Sequence, residues 1–295
     1  MTRLDVVVVG QVGRDLVLQA DAVPPAGGSE PVRVRRELLG GKGANQAVGM
    51  AQLGARVALL GVVGDDAAGS AVLDQARADG IDVTHVLRRA GAATALLVDV
   101  VAGGERRLLE DVPPGTLLTV ADVSGAAQLL KAAAYVAVQL QQPADAALAA
   151  ARTAVDGGAR VVLDGAPQDS GATQALLATA YAVRADASEA QELTGRELPE
   201  VGDVLAAARE LLGRGPRLCA LGAPGGDVVA WPGGHVVLPH AEHPADTTGG
   251  GDAFVAGLTV ALLRGRPEEE AAQLAAAATA STVKRLGGRP ALGNV

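Results

Sequence analysis

Short valine-rich runs alternating with alanine-rich amphipathic segments constrain this chain more than any other feature of its sequence. The runs at 6–9, 57–63, 135–138, 161–163, 181–183 and 218–221 are apolar throughout, without a polar face. Branched side chains favour extended backbone and alanine favours helix, so helices are expected between them at 43–53, 67–79, 143–156 and 201–212. Apolar strands separated by helices imply a parallel sheet covered on both faces. Two segments break the alternation. Residues 14–38 contain Pro24-Pro25-Ala26-Gly27-Gly28 and the polar alternation Val32-Arg33-Val34-Arg35-Arg36, and residues 94–109 surround Ala102-Gly103-Gly104. Both read as half-exposed antiparallel strands, a small accessory sheet beside the main layer. Two consecutive helices are expected at 251–263 and 267–285.

Within 295 residues this layer leaves room for one large domain with a smaller appendage. Aromatic residues make up 1%, too few for the stacking platforms that hold single-stranded nucleic acid. A net charge of -8 repels phosphate backbones and anionic membranes alike, so neither is an expected partner. A nucleotide is compatible with that charge, because backbone N–H groups make an anion site locally. Cys219 is the single cysteine, which rules out an intrachain disulfide, and its apolar setting predicts an inert residue on a buried strand. A strand pattern begins at Asp5 with no basic-then-apolar leader before it, and the run 271–283, broken by Gln273, is too short to span a bilayer. A soluble cytoplasmic protein is the expectation.

Two glycine-rich segments, at 40–47 and 246–254, carry the chemistry. In Gly40-Gly41-Lys42-Gly43-Ala44-Asn45-Gln46-Ala47 the glycines let backbone approach a ligand closely, with Asn45 facing the same cavity; an ordinary glycine-rich turn explains the same residues as well. No GxxxxGK[ST] pattern occurs, so phosphoryl chemistry here needs a design without a P-loop. In Asp246-Thr247-Thr248-Gly249-Gly250-Gly251-Asp252-Ala253-Phe254 three glycines lead straight into an apolar helix. Free N–H groups at a helix start, with the dipole behind them, stabilise developing negative charge. A carboxylate there can take the proton of a hydroxyl that attacks phosphorus. Simple capping of the helix explains one aspartate after glycine, but not three glycines with Asp246 ahead of them.

Both segments resemble the signatures of the ribokinase/PfkB carbohydrate-kinase family. The first matches the ribokinase form of the N-terminal signature without a change, and the second resembles DTTGAGDAF with Gly250 in place of alanine. The likeness spans essentially the whole chain, including Gly10, Gly61-Val62-Val63-Gly64-Asp65-Asp66 and Glu189-Ala190-Gln191-Glu192-Leu193-Thr194-Gly195. It implies an α/β fold with a Rossmann-like three-layer αβα core (1–13, 39–93 and 110–295). It also implies a small β-sheet lid (14–38 and 94–109), which in this family often clasps a homodimer. The implied activity is ATP-dependent phosphorylation of a hydroxymethyl group of a sugar, D-ribose or a related one, assisted by Mg2+ and K+. Carried over by position, Asp252 is the catalytic base and Gly249, Gly250 and Gly251 form the anion hole. Asp15, Gly41, Lys42, Asn45 and Gln141 line the sugar site. Asp186 and Glu189 fall on an element that organises magnesium and its waters, while Gly222 and Gly225, with Asp186 and Gly251, fall on the ATP side. Asp246, Thr248 and Gly288 fall where related enzymes bind the monovalent cation.

The chain departs from the family pattern in places. Gly13 stands where ribokinases carry a sugar-contacting asparagine, Gln141 where a glutamate is expected, Asp186 where the element has asparagine, and Ala223 where a hydroxyl residue helps hold phosphates. The family's usual last helix is not expected after residue 292. Losing one polar partner costs about 1–3 kcal/mol, enough to change specificity. A nucleoside kinase of the same fold and a catalytically weak sugar- or nucleotide-binding regulator stay open as alternatives. His240 and His243 stand just before Pro244, which disfavours the helix that a zinc-type spacing needs. Arg33, Arg35 and Arg36, and with them Arg106 and Arg107, read as solvated strand faces rather than contacts to an anionic substrate. Asp65-Asp66 reads as a turn and helix start.

Overall fold

A computed structural model of the chain describes residues 4–103, 105–241 and 244–295. In chain order the strands are β1 (Val6–Val9), β2 (Gly13–Ala20), β3 (Val34–Gly40), β4 (Val57–Gly64), β5 (Val86–Arg89), β6 (Ala95–Ala102) and β7 (Glu105–Asp111). They continue as β8 (Tyr135–Gln139), β9 (Arg160–Asp164), β10 (Ala180–Ala185), β11 (Leu218–Ala223), β12 (Gly226–Trp231) and β13 (Gly234–Pro239). The helices are α1 (Lys42–Gln52), α2 (Ala67–Ala78), α3 (Val120–Gly125), α4 (Ala127–Ala132) and α5 (Ala144–Asp156). They are followed by α6 (Thr173–Leu177), α7 (Ala187–Thr194), α8 (Val201–Leu212), α9 (Gly250–Leu263) and α10 (Glu268–Thr282).

The valine runs build the main sheet, in the order β13-β12-β11-β10-β9-β8-β1-β4-β5. Strand β1 is its pivot, paired in parallel with β4 on one side and β8 on the other. Helices cover both faces, and the reason is visible within β1. Val6 and Val8 enter a core shared with α1, α2, α9 and α10, while Val7 and Val9 enter one shared with α4, α5 and α8. A strand buried on both faces has no place for a polar residue. Where strand order reverses, the carboxyl ends of neighbouring strands part and leave a crevice.

Small side chains let the helices approach closely. A methyl added to Gly49 of α1 would lie 2.7 Å from the Ala256 Cβ of α9, and one on Gly257 would lie 2.8 Å from the Ala275 Cα of α10. Asp66 caps α2 by accepting from the Gly69 N–H at 2.7 Å, as expected of a helix start. Cys219 is fully buried, and burial pushes its thiol up to about 12. No helix among the described residues is long and apolar enough to cross a membrane.

Two features differ from the sequence expectation. The sheet is not parallel throughout, because β11, β12 and β13 form an antiparallel meander at one edge. Half-exposed β13 lacks the continuous apolar run that marks an inner strand. The small sheet, ordered β3-β2-β6-β7, is antiparallel in its outer pairs but parallel in its middle pair, β2 with β6. A parallel pair needs a long crossover, supplied here by α1, β4, α2 and β5.

A close backbone approach lies beside the crevice. A methyl on Gly43 would stand 2.7 Å from the Gly10 carbonyl carbon, so α1 rests directly on the end of β1. Gly43→Ala is expected to cost about 1–3 kcal/mol of stability, read as a lower thermal midpoint; an unchanged midpoint would mean the contact is slack.

Candidate active site

The crevice collects side chains from strand ends and helix starts. Gln11 follows β1, Gln141 follows β8, Asp164 ends β9 and Asp186 follows β10, while α1 presents Lys42, Asn45 and Gln46 and α9 presents Asp252. A cavity of about 430 Å³ opens under the small sheet. A second, of about 350 Å³, adjoins it, and Arg184, Thr247 and Gly251 line both.

The turn into α9 is shaped for an anion. Gly249 has φ of 72°, and a side chain there would run into the Gly288 carbonyl, so only glycine fits. The N–H groups of Gly251 and Asp252 find no acceptor among the described residues, whereas that of Gly250 turns back to the Thr247 carbonyl at 3.3 Å. Gly249 is the N-cap of the helix, so Asp252 lies inside its first turn and does not cap it. The buried Asp252 carboxyl accepts from Asn45 Nδ2 and Gln46 Nε2, each at 3.3 Å. Burial, then the charge of Asp164, push Asp252 up to about 7 against the pull of Lys42 and the two amides. A group titrating there can accept or release a proton at neutral pH.

Beneath Asp252 runs a chain of buried charges. Gln46 Nε2 also donates to Asp164 Oδ2 at 2.8 Å, and Asp164 Oδ1 accepts from Arg184 Nη1 at 3.3 Å. Arg184 Nη1 lies 3.8 Å from Glu189 Oε2, and Glu189 Oε1 accepts from Lys42 Nζ at 3.0 Å. Burial disfavours the Lys42 ammonium, but the carboxylates of Asp164, Glu189 and Asp252 hold it above its ordinary value. Neither Asp164 nor Arg184 was expected in the site. Each is a charge at the end of an apolar run, and that placement is the signal that could have flagged them.

Under the small sheet, the Asp15 carboxyl lies across Gly40, where any side chain would overlap it. Burial pushes Asp15 up to about 7; Asp99 and Asp246 add to the rise, while the Gly41 amide and Arg106 oppose it. Asp15 Oδ1 and Asn45 Oδ1 are buried and have no hydrogen-bond partner among the described residues. Gly41 holds φ of 86° beside Gln11, which lines the same wall. Gln141 accepts from Gln139 Nε2 at 2.8 Å and turns its own amide toward the cavity. Gly13 leaves no room for asparagine, since a Cβ would stand 2.9 Å from the Ala95 carbonyl oxygen.

Arg106 corrects the reading of the small sheet. Strand side chains alternate, so Arg106, Leu108 and Glu110 of β7 face the cavity while Arg107 turns away to Glu105 at 2.8 Å. Arg106 pairs with the buried Asp99 at 2.9 Å and lies 4.0 Å from Asp246. Arg33 and Arg35 do occupy exposed faces, paired with Asp21 and Glu37.

The expected metal ligands fit unequally. Asp186 caps α7 through Oδ1, which accepts from the Glu189 N–H at 2.9 Å, and Glu189 Oε2 returns a bond to the Asp186 N–H. Asp186 Oδ2 makes no hydrogen bond among the described residues and Asp186 lines the first cavity. One free carboxylate oxygen suits magnesium, which keeps its waters and takes phosphate oxygens. Glu189 stands behind the cavity wall, occupied by Lys42 and the α7 cap. Asp246, Thr248 and Gly288 do come together beside the turn into α9. Asp246 Oδ1 accepts from the Thr248 N–H at 2.9 Å and meets its hydroxyl at 2.5 Å, while Oδ2 accepts from the Gly287 N–H at 2.8 Å. The same hydroxyl lies 2.8 Å from Asp99 Oδ2.

Gly222 and Gly225 do not reach either cavity wall: Gly222 is pressed against the start of α7, and Gly225 makes the turn before β12. The second cavity is walled instead by Phe254, Thr279, Val283, Asp227 and His240. His240 Nε2 is 3.9 Å from Asp227 Oδ2, and His243 lies outside the described residues.

Residues 3–292 match the model of the pfkB family carbohydrate kinases. The chain is 27% identical to the ribokinase of Haemophilus influenzae, over 98% of this chain and 95% of that one. It is 32% identical to the 1-phosphofructokinase of Xanthomonas campestris, over 92% and 87%. The structure of Arabidopsis thaliana ribokinase complexed with ribose and ATP shares the fold, with a TM-score of 0.79 at 22% identity over 98% and 97% of the two chains. The class so defined is a phosphotransferase with an alcohol group as acceptor. The chain belongs to the pfkB family of carbohydrate kinases and is ribokinase-like within it.

Asp15 and Asp252, both held at about 7 against an ordinary value of 3.8, link the site to stability. A carboxyl raised on folding favours the folded chain below its unfolded pKa, and that contribution is lost as pH rises through the folded value. Asp252→Asn is therefore expected to exceed the wild type in thermal midpoint at pH 8, by about 2–4 °C for each kcal/mol relieved, and to match it near pH 4. Equal margins at both pH values would show that the carboxyl does not titrate with folding.

Proposed function

We propose that this kinase transfers the γ-phosphoryl group of ATP to a hydroxymethyl group of a neutral sugar, D-ribose or a related one, bound beneath the small sheet. Under this reading residues 14–38 and 94–109 form the lid, and 1–13, 39–93 and 110–295 the core. The observation that carries it is the pair of buried oxygens without donors, Asp15 Oδ1 and Asn45 Oδ1, on the cavity that also holds Asp252. An unmet buried acceptor costs about 1–3 kcal/mol, and the hydroxyls of a polyol supply the missing donors. The cations on that side, Arg106 and Lys42, are already paired with Asp99 and Glu189, which favours a neutral acceptor over a sugar phosphate. The Arabidopsis ribokinase of the same fold holds ribose and ATP, which supports both substrates.

In the reaction the acceptor oxygen bonds to the γ-phosphorus as the bond from phosphorus to the bridging oxygen breaks. Asp252 takes the hydroxyl proton, and ADP leaves with the electron pair. The free N–H groups of Gly251 and Asp252, with the α9 dipole, receive the charge that develops, while Gly249 and Gly250 shape the turn that presents them. Gly41, Lys42, Asn45 and Gln141 position the acceptor. Asp186, with Glu189 behind it, would hold magnesium, which would supply positive charge against the phosphates when bound. Potassium would be held by Asp246, Thr248 and carbonyls near Gly288, and would add positive charge beside the turn into α9.

A second copy of the chain is assigned to the outer face of β7, where Leu109 is 64% exposed. The cytoplasm, which supplies ATP, is the assigned compartment.

A panel of pentoses, hexoses and polyols assayed with MgATP should give a phosphorylated product for at least one neutral sugar. Asp252→Asn should lower that turnover roughly 10²–10⁴-fold with sugar and nucleotide binding retained. Full turnover in the variant would sink the assignment of the base.

A further inference from the structure

Arg184 stands where the two cavities meet, and the steps above make no use of it. It extends from the end of β10, lines both cavities and lies against the anion turn. A Cβ built on Gly251 would fall 2.6 Å from Arg184 Nη1 and 2.7 Å from Cζ and Nη2, so the guanidinium covers the face of that residue. Its position is fixed from behind by Asp164 Oδ1 at 3.3 Å and Glu189 Oε2 at 3.8 Å, and its side chain is only 14% exposed. Nη2 makes no hydrogen bond to protein among the described residues.

A purely structural arginine would serve only to neutralise Asp164. Asp164 already accepts from Gln46 and feels the charge of Lys42, whereas the unpaired half of the guanidinium is directed to the junction. A phosphoryl group that leaves a nucleotide in one cavity for a hydroxyl in the other has to cross that junction. Its transition state spreads negative charge over three equatorial oxygens, which a planar fork of N–H donors matches better than a point charge does. Resting on the kinase reading above, we propose that Arg184 is a catalytic residue, donating through Nη2 to the equatorial oxygens of the phosphoryl group as it moves from ATP to the acceptor.

The test separates this role from the ion pair. Arg184→Met should lower kcat roughly 10²–10³-fold with little change in acceptor KM, and should lower the thermal midpoint because Asp164 loses its partner. Arg184→Met combined with Asp164→Asn removes the stranded charge. Compared with Asp164→Asn alone, the double variant should recover the midpoint and keep the loss in kcat. Arg184→Lys, which keeps the charge without the fork, should fall between wild type and Arg184→Met. Recovery of kcat together with the midpoint, or an Arg184→Met kcat within about threefold of wild type, would overturn the proposal. If that happens while Asp252→Asn is inactive, the inference about Arg184 fails alone; if the wild type phosphorylates no sugar, the kinase reading fails with it.

Discussion

Three carboxylates and two cations withdrawn from water at the ends of parallel strands set the terms for the rest of this molecule. Asp164, Glu189 and Asp252 face Lys42 and Arg184 across distances that only a fixed arrangement of five elements provides. Strand register makes part of it: Gln139, Asp164 and Arg184 are neighbours in one row across β8, β9 and β10. Burying such charges costs several kcal/mol each unless partners are in place, and removing one strands another. The sheet therefore tolerates little slippage where the crevice opens.

That demand explains the small side chains. For Lys42, Gln46 and Asp252 to meet the strand ends, α1 and α9 must start almost on the backbone, which Gly43 against Gly10 and Gly49 against Ala256 allow. A core rich in aromatic rings would hold these helices farther out. Alanine and valine keep the layers thin, and with 1% aromatic residues the chain has little else to pack.

Much of this was legible in the sequence because it is local. Inner strands announce themselves by unbroken apolar runs, and Gly249 to Asp252, Asn45 and Asp15 meet in one crevice because each motif is set by its own turn. What was hidden depends on partners distant in the chain. The parallel pairing of β2 with β6 follows from a crossover, and the half-buried edge strand β13 has no run to read. Arg106 looked solvated because four charges flank it in sequence, yet the pleat turns it inward to Asp99. Asp164 and Arg184 each stand one residue beyond an apolar run, and only sheet register makes them a pair. Gly13, which looked like a lost sugar contact, is a packing glycine whose neighbour Ala95 permits nothing larger.

The Thr248 hydroxyl joins the two halves of the crevice in an unusual way. It stands between Asp99 on β6 and Asp246 beside the anion turn, within hydrogen-bond reach of both. One hydroxyl has one proton to give, so Thr248 shares it between the two carboxyl groups. Burial first of all holds Asp99 above its ordinary value, while the Thr248 hydroxyl and Arg106 draw it back. The clasp between the small sheet and the turn into α9 is thus made of a shared proton rather than of packing. A ligand that draws the small sheet inward would tighten the far side by the same thread.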